Sequence, residues 1–256
     1  VLGGRLEGKF LPDQVIPFSV SREDAEKGFK DYVCKKKFVP RAFYNKKQVE
    51  SITGVYFPYW HYNTRLEGKM QGEARNVRVW RTGNTEYTET KYYQVSREGD
   101  VKLENLTENA LGKANQELIC GVMPYDFKDV KKFQLGFLSG FLAEKRDIEK
   151  KQIEKKVQQE ARESAEKLMR EQINGYSSVS VKNADFRALK EKWSYTLLPV
   201  WTITYKAKNG KIYYFSMNGQ TGKVYGELPT DYKKISLVSG IVSLVTLVIL
   251  LLGGLA

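Results

Sequence analysis

Histidine occurs once in the 256 residues and cysteine twice. The single histidine, His61, would have to serve any triad or metal site. No Cys, Asp or Glu stands at a ligand-like spacing around it, so it is expected to be a satisfied or exposed strand residue facing away from Trp60. Cys34 and Cys120 are far apart and no CxxC pair occurs, which removes the basis for a disulfide framework or a zinc site and fits a reducing compartment. There is no GxSxG elbow for a nucleophilic serine and no glycine-rich strand-to-helix turn for a dinucleotide. The stretch FSMNGQTGKVYG (residues 215–226) imitates a phosphate loop, yet Met217 fills the slot of its first glycine and Val224 the slot of its hydroxyl. Its β-branched and aromatic flanks around Asn218-Gly219 predict a hairpin turn instead. Asp126 and Asp129 form a possible carboxylate pair, but beside Lys128, Lys131 and Lys132 they read as ordinary surface. The expectation is no catalytic residue, no cofactor-binding residue and no metal ligand in this chain.

What is abundant is positive charge and, at one end, uninterrupted apolar sequence. Net charge is +12, apolar residues make up 41% and aromatics 12%. Every charged residue precedes position 235, so the folded part is basic throughout and suits an acidic partner. Residues 235–256, ISLVSGIVSLVTLVILLLGGLA, carry no charge and predict a single membrane-spanning helix of about 33 Å. Lys233 and Lys234 immediately before it, with no cleavable signal at the start, place the bulk of the chain on the cytoplasmic side of the cell membrane. Lys206, Lys208, Lys211, Lys223, Lys233 and Lys234 then face an anionic inner leaflet.

Along the chain, Ser21 and Asp24 open a capped amphipathic helix with Ala25, Phe29, Tyr32 and Val33 on one face. SITGVYFPYWHYN, ARNVRVWRT and TEYTETKYYQVSRE predict an antiparallel meander, with turns at Thr82-Gly83-Asn84 and Glu98-Gly99-Asp100. Residues 143–174 are more than half charged and predict a long helix of about 45 Å with a narrow stripe of Ile148, Ile153, Val157, Ala161, Leu168 and Ile173. That helix is a solvated face or a coiled-coil contact, and an oligomer stays open. YSSVSVKN, SYTLLPVWTITYKAK and KIYYFSM follow as strands. VYFPYWHYNT (from Val55) and TLLPVWTITY (from Thr196) share a Pro-x-Trp core, which predicts two related lobes. The fold expectation is α+β: a first lobe over 1–125, a long helix and second lobe over 126–232, and a transmembrane helix over 235–256.

Six collinear blocks, GRLEGKFLPDQVIPF, GVYFPYWHYN, LSGFLAEKRDI, GYSSVSVKN, LLPVW and FSMNGQTGKVYGELPTD, resemble the bacterial membrane proteins known as TFIIB-type zinc-ribbon-containing proteins. The resemblance implies CxxC zinc ribbons upstream of the segment matching GRLEGKF, so any zinc belongs there and not to these residues. It also implies a non-enzymatic, membrane-anchored adaptor in envelope maintenance or stress, with partners of the phage-shock-protein-A-like or SPFH type. Two other readings predict different observations. Nucleic-acid binding through RVWRT and KIYYF requires basic residues interleaved with stacking aromatics. A hydrolase using Asp126 or His61 requires a deep pocket of convergent titratable groups.

Overall fold

The computed structural model describes residues 10–40, 43, 46–113, 120–207 and 210–253, the side chains of 46, 47, 252 and 253 excepted. The Gly4 end of the first family-like block, Lys208 and the last three residues of the apolar stretch lie outside these residues. The chain is α+β. Helices α1 (Arg22–Cys34), α2 (Lys46–Val49), α3 (Lys150–Glu171) and α4 (Tyr232–Gly253) accompany strands β1 (Gln14–Val15), β2 (Thr53–Thr82), β3 (Thr85–Asn109), β4 (Lys131–Lys132), β5 (Leu142–Ala143), β6 (Ser178–Lys206), β7 (Ile212–Asn218) and β8 (Val224–Gly226). The strands make a mixed sheet in which β5 runs parallel to β2, while β1 with β4, β2 with β3, β6 with β7 and β7 with β8 pair antiparallel.

By its contacts the chain divides into two compact units, Val1–Pro58 with Lys113–Lys145 and Leu197–Ala256, and Tyr59–Gly112 with Arg146–Thr196. Each is assembled from separate stretches, so neither coincides with a single run such as 1–125 or 126–232. β2 leaves the first unit after Pro58, and β6 enters it at Leu197.

In the first unit, α1 begins at the N-cap Ser21, whose hydroxyl accepts from the Asp24 amide at 3.1 Å. Ala25, Phe29 and Val33 recur every fourth residue and are buried against Phe43, Ile203, Phe215 and Met217. Gly28 allows the close approach: a Cβ there would lie 2.3 Å from the Met217 methyl. The FSMNGQTGKVYG stretch is a hairpin, with Met217 opposite Val224. Its left-handed residue is Gly222 (φ +76°) rather than the Asn218-Gly219 pair, because the loop spans four residues and closes with the Gly222 amide on the Asn218 carbonyl at 2.9 Å.

In the second unit, β2 and β3 form one long hairpin, in register from Tyr59–Asn109 to Thr82–Thr85 apart from a bulge between Tyr62 and Thr64. The meander expected from three runs is therefore two strands, and the expected turn at Glu98-Gly99-Asp100 lies inside β3, with Gly99 opposite Gly68. Pairing along an uninterrupted partner overrides local turn chemistry there. The turn at Gly83 (φ +60°) forms as expected. Leu66, Met70 and Ala74 alternate inward along β2, and α3 covers them with Ile153, Val157, Ala161, Ala165 and Met169. The helix starts at Lys150 and ends at Glu171, which at 22 residues is about 33 Å, shorter than the stretch 143–174 implied. Leu168, placed on the inner stripe by the sequence, is 42% exposed, because the strict four-residue spacing continues through Ala165 and Met169.

The same local construction occurs in both units. In the first, the Ser19 and Val20 amides both donate to the Gly219 carbonyl at 2.9 Å, and the Trp201 indole donates to the Val20 carbonyl at 3.1 Å. In the second, the Asp147 and Ile148 amides both donate to the Ala110 carbonyl, at 3.0 and 3.1 Å, and the Trp60 indole donates to the Ile148 carbonyl at 2.9 Å. Val20 and Ile148 each precede a helix N-cap, Ser21 and Glu149. Each accepting carbonyl follows a buried asparagine that ends a strand, Asn218 or Asn109, whose side-chain oxygen takes the amide two residues on. In both, the residue two before the helix N′ position, Phe18 or Arg146, stacks near the tryptophan, at 4.9 and 5.1 Å.

Candidate functional site: an anchor helix and an aromatic ribbon

Helix α4 is apolar on every side. Its 20-residue core Tyr232–Leu251 has a mean hydropathy of 2.3, and no residue of it is buried inside the protein. Leu237, Leu244, Ile249 and Leu250 are each more than 60% exposed. Soluble surfaces do not leave such a run uncovered, so the helix is of the length and composition that crosses a bilayer. Its start is fixed to the first unit. The Asp231 amide donates to the Phe38 carbonyl at 2.7 Å and the Lys234 ammonium to the Val39 carbonyl at 2.7 Å. Asp231 also caps the helix, taking the Lys234 amide at 3.3 Å.

In the second unit the third strand stops before the hairpin does. The segment leading into β6 is bonded along β2 as far as the Val77 amide, with the Ser177 amide on the Arg75 carbonyl at 2.9 Å and the Ser177 hydroxyl under the Val77 amide at 3.1 Å. Beyond them, residues 77–82 and 85–88 form a two-stranded ribbon exposed throughout. On one face Trp80 and Tyr87 lie opposite and stack at 5.6 Å, with the Arg78 guanidinium 5.7 Å from the indole centre. Val77 and Val79 share the other face with Tyr92, which is 73% exposed. Arg81 pairs with Glu86 at 2.8 Å across the ribbon. The sequence marked this stretch as a strand. Its exposure was not readable, because alternation looks alike on a covered and an uncovered sheet.

The residues weighed for catalysis, His61 and Asp126, belong to different units. His61 is buried and its Nε2 is 3.1 Å from the Asn105 side-chain oxygen, at the β3 bulge where Asn105 takes φ +62°. Burial, and more weakly Lys192, holds its pKa below the usual 6.5 despite the Asn105 hydrogen bond. Asp126 caps a short 3-10 turn by accepting the Lys128 amide at 2.9 Å. Gln220 of the hairpin loop ties that turn down, donating to the Asp126 carbonyl at 2.8 Å and the Asp129 carboxylate at 2.7 Å. Asn218 donates to the Val122 and Pro124 carbonyls, and Lys223 donates to the Met123 carbonyl. The phosphate-loop look-alike is thus a clamp on residues 122–129. The buried phenols Tyr56, Tyr62 and Tyr195 are each pushed up to about 12 by burial, so they stay neutral.

A cleft of about 550 Å3 opens in the first unit at the start of α1, floored by Phe18, Phe141 and Trp201. Phe18 and Phe141 stack at 4.2 Å. Its basic group, Arg22, is engaged with the Glu50 carbonyl at 2.8 Å and the Glu26 carboxylate at 3.2 Å. Cys34 and Cys120 are exposed free thiols, and no group of three or more His, Cys, Asp or Glu is placed to hold a metal among the described residues.

No family model matches the chain, and no solved structure matches it. It is similar to a protein of Bacillus subtilis (strain 168) described as uncharacterized protein YdjG, 29% identical over 259 residues, an alignment that covers 99% of this chain and 76% of the relative.

Proposed function

We propose that the protein is a non-enzymatic adaptor, anchored by α4 in the cell membrane with its folded body on the cytoplasmic face, where it positions other membrane-associated proteins. The observation that carries this reading is an apolar helix left uncovered by the fold and hydrogen-bonded at its base to a folded unit. Lys233 and Lys234 at that base support the cytoplasmic orientation. The aromatic ribbon is the docking surface for a protein partner, since Trp, Tyr and Arg are the residue types that dominate interfaces. Partners of the phage-shock-protein-A-like or SPFH type follow from the resemblance to zinc-ribbon proteins.

The two units are read as two copies of one helix-plus-antiparallel-sheet lobe with exchanged strands. Trp60 follows α1 in sequence yet closes the entry to α3, and Trp201 follows α3 yet closes the entry to α1. The matched hydrogen bonds at Gly219 and Ala110 support this reading. Gentle detergent extraction of the full chain followed by affinity capture tests the adaptor role. A stoichiometric protein partner lost on Trp80→Ala with Tyr87→Ala supports it; capture without any stoichiometric protein contradicts it.

A further inference from the structure

The loop that follows α1 carries Lys35, Lys36 and Lys37, all exposed, and ends in the 37% exposed Phe38. It is held at both ends by the core, through Val33 and Val39, which are 1% and 4% exposed. The Phe38 and Val39 carbonyls are the two that receive the Asp231 amide and the Lys234 ammonium. Three lysines distant in sequence from the apolar helix are thereby fixed beside its first turn, together with exposed Lys233 and Tyr232, the latter 76% exposed. Lys234 is the basic residue turned inward, 3.8 Å from the Asp231 carboxylate. Asp31, on the last turn of α1, is the nearby exposed carboxylate in sequence.

We propose that the loop at Lys35–Lys37 and the first turn of α4 form a shelf that binds the phosphate headgroups of anionic phospholipid. This rests on the membrane-anchor reading of α4. Two features point to lipid. The cations and the apolar helix begin at the same place, so the shelf sits where headgroups are. Tyr232 is an amphipathic aromatic of the kind enriched at a membrane–water boundary, and Phe38 adds an exposed apolar ring. Each lysine near an anionic leaflet raises local binding about fivefold, and the attraction decays within a Debye length. The shelf therefore fixes the tilt of the first unit on its own membrane and draws acidic lipid around the anchor.

Cys34, exposed and adjacent to Lys35, reports on the shelf. The full chain with Cys120→Ser, labelled at Cys34 with a polarity-sensitive fluorophore, is reconstituted into vesicles of phosphatidylcholine alone or mixed with phosphatidylglycerol. A headgroup-attached quencher is expected to quench the label several-fold more in the anionic vesicles, and raising salt from about 0.1 M to about 1 M is expected to abolish the difference. Lys35→Glu/Lys36→Glu/Lys37→Glu removes the difference while the protein still floats with vesicles; the milder Lys→Gln set and the salt titration serve if the charge reversal misfolds. Quenching that ignores lipid composition, in a protein that floats, overturns the shelf alone. A protein that fails to float overturns the anchor reading and the shelf with it.

Discussion

Single side chains carry the joints of this fold. Trp201 and Trp60 each put an indole N–H on a carbonyl just before a helix N-cap. Replacing either by Phe keeps the aromatic surface but leaves that carbonyl without its donor, which is expected to cost about 1–2 kcal/mol in urea unfolding, similarly for the two. Glycines separate by what opposes them. A Cβ at Gly72 would lie 2.4 Å from the Ser180 carbonyl oxygen, which is backbone, whereas at Gly28 it meets the flexible end of Met217. Gly72→Ala is therefore expected to destabilise by about 2–3 kcal/mol and Gly28→Ala by about 1 kcal/mol or less. His61 gives the pH dependence. Its folded pKa is lowered by burial, so below its ordinary value of 6.5 the unfolded chain binds the proton and the folded chain does not. Stability is full above that value and falls as pH drops through it toward the folded pKa. Thermal melts between neutral and mildly acidic pH should show this decline, and His61→Gln should flatten it. That His61 is a packed strand residue was readable from its lack of ligand partners; that Asn105 would meet it was not, since a bulge and a left-handed asparagine set the contact.

Among the elements, α1 was legible because a cap, a four-residue apolar spacing and a following Pro40 agree. Its expected residues Ala25, Phe29 and Val33 are the buried ones, and Tyr32 is half-buried with its hydroxyl on the Gly226 carbonyl at 2.9 Å. The charged helix was legible in type and, through Ile153, Val157 and Ala161, over the first part of its buried face, but not over the last turns. Ala165 and Met169 carry the contact that a hydropathy reading gives to Leu168. Ala165→Glu should unfold the second unit or lower its melting point sharply, while Leu168→Glu should be nearly neutral. At the start of this helix Glu149 and Gln152 cap each other's backbone, the Gln152 side chain accepting from the Glu149 amide at 2.6 Å. Glu149→Ala is expected to cost about 1 kcal/mol. The ribbon makes the opposite prediction. Trp80 and Tyr87 contact each other and solvent rather than a core, so Trp80→Ala with Tyr87→Ala should leave the melting point nearly unchanged while abolishing partner capture.

At the scale of the whole molecule, two strands of 30 and 29 residues each pass from one compact unit to the other. Sequence patterning shows strand character and the repeated Pro-x-Trp, but not which helix each tryptophan will close. That choice is made by pairing between residues more than a hundred positions apart, such as the Thr64 hydroxyl on the Lys190 carbonyl at 3.1 Å. The apolar end of the chain, by contrast, was legible from composition alone, since an uncharged run of that length forms one helix long and apolar enough to cross a bilayer. The adaptor account stands on that helix. Its most direct test is to express the full chain in cells, separate the membranes, and wash them with alkaline carbonate before treating intact and permeabilised cells with protease. The account expects the protein to stay in the washed membrane pellet, with its body cut only after permeabilisation. Release into the carbonate supernatant, or cleavage of the body in intact cells, would contradict it.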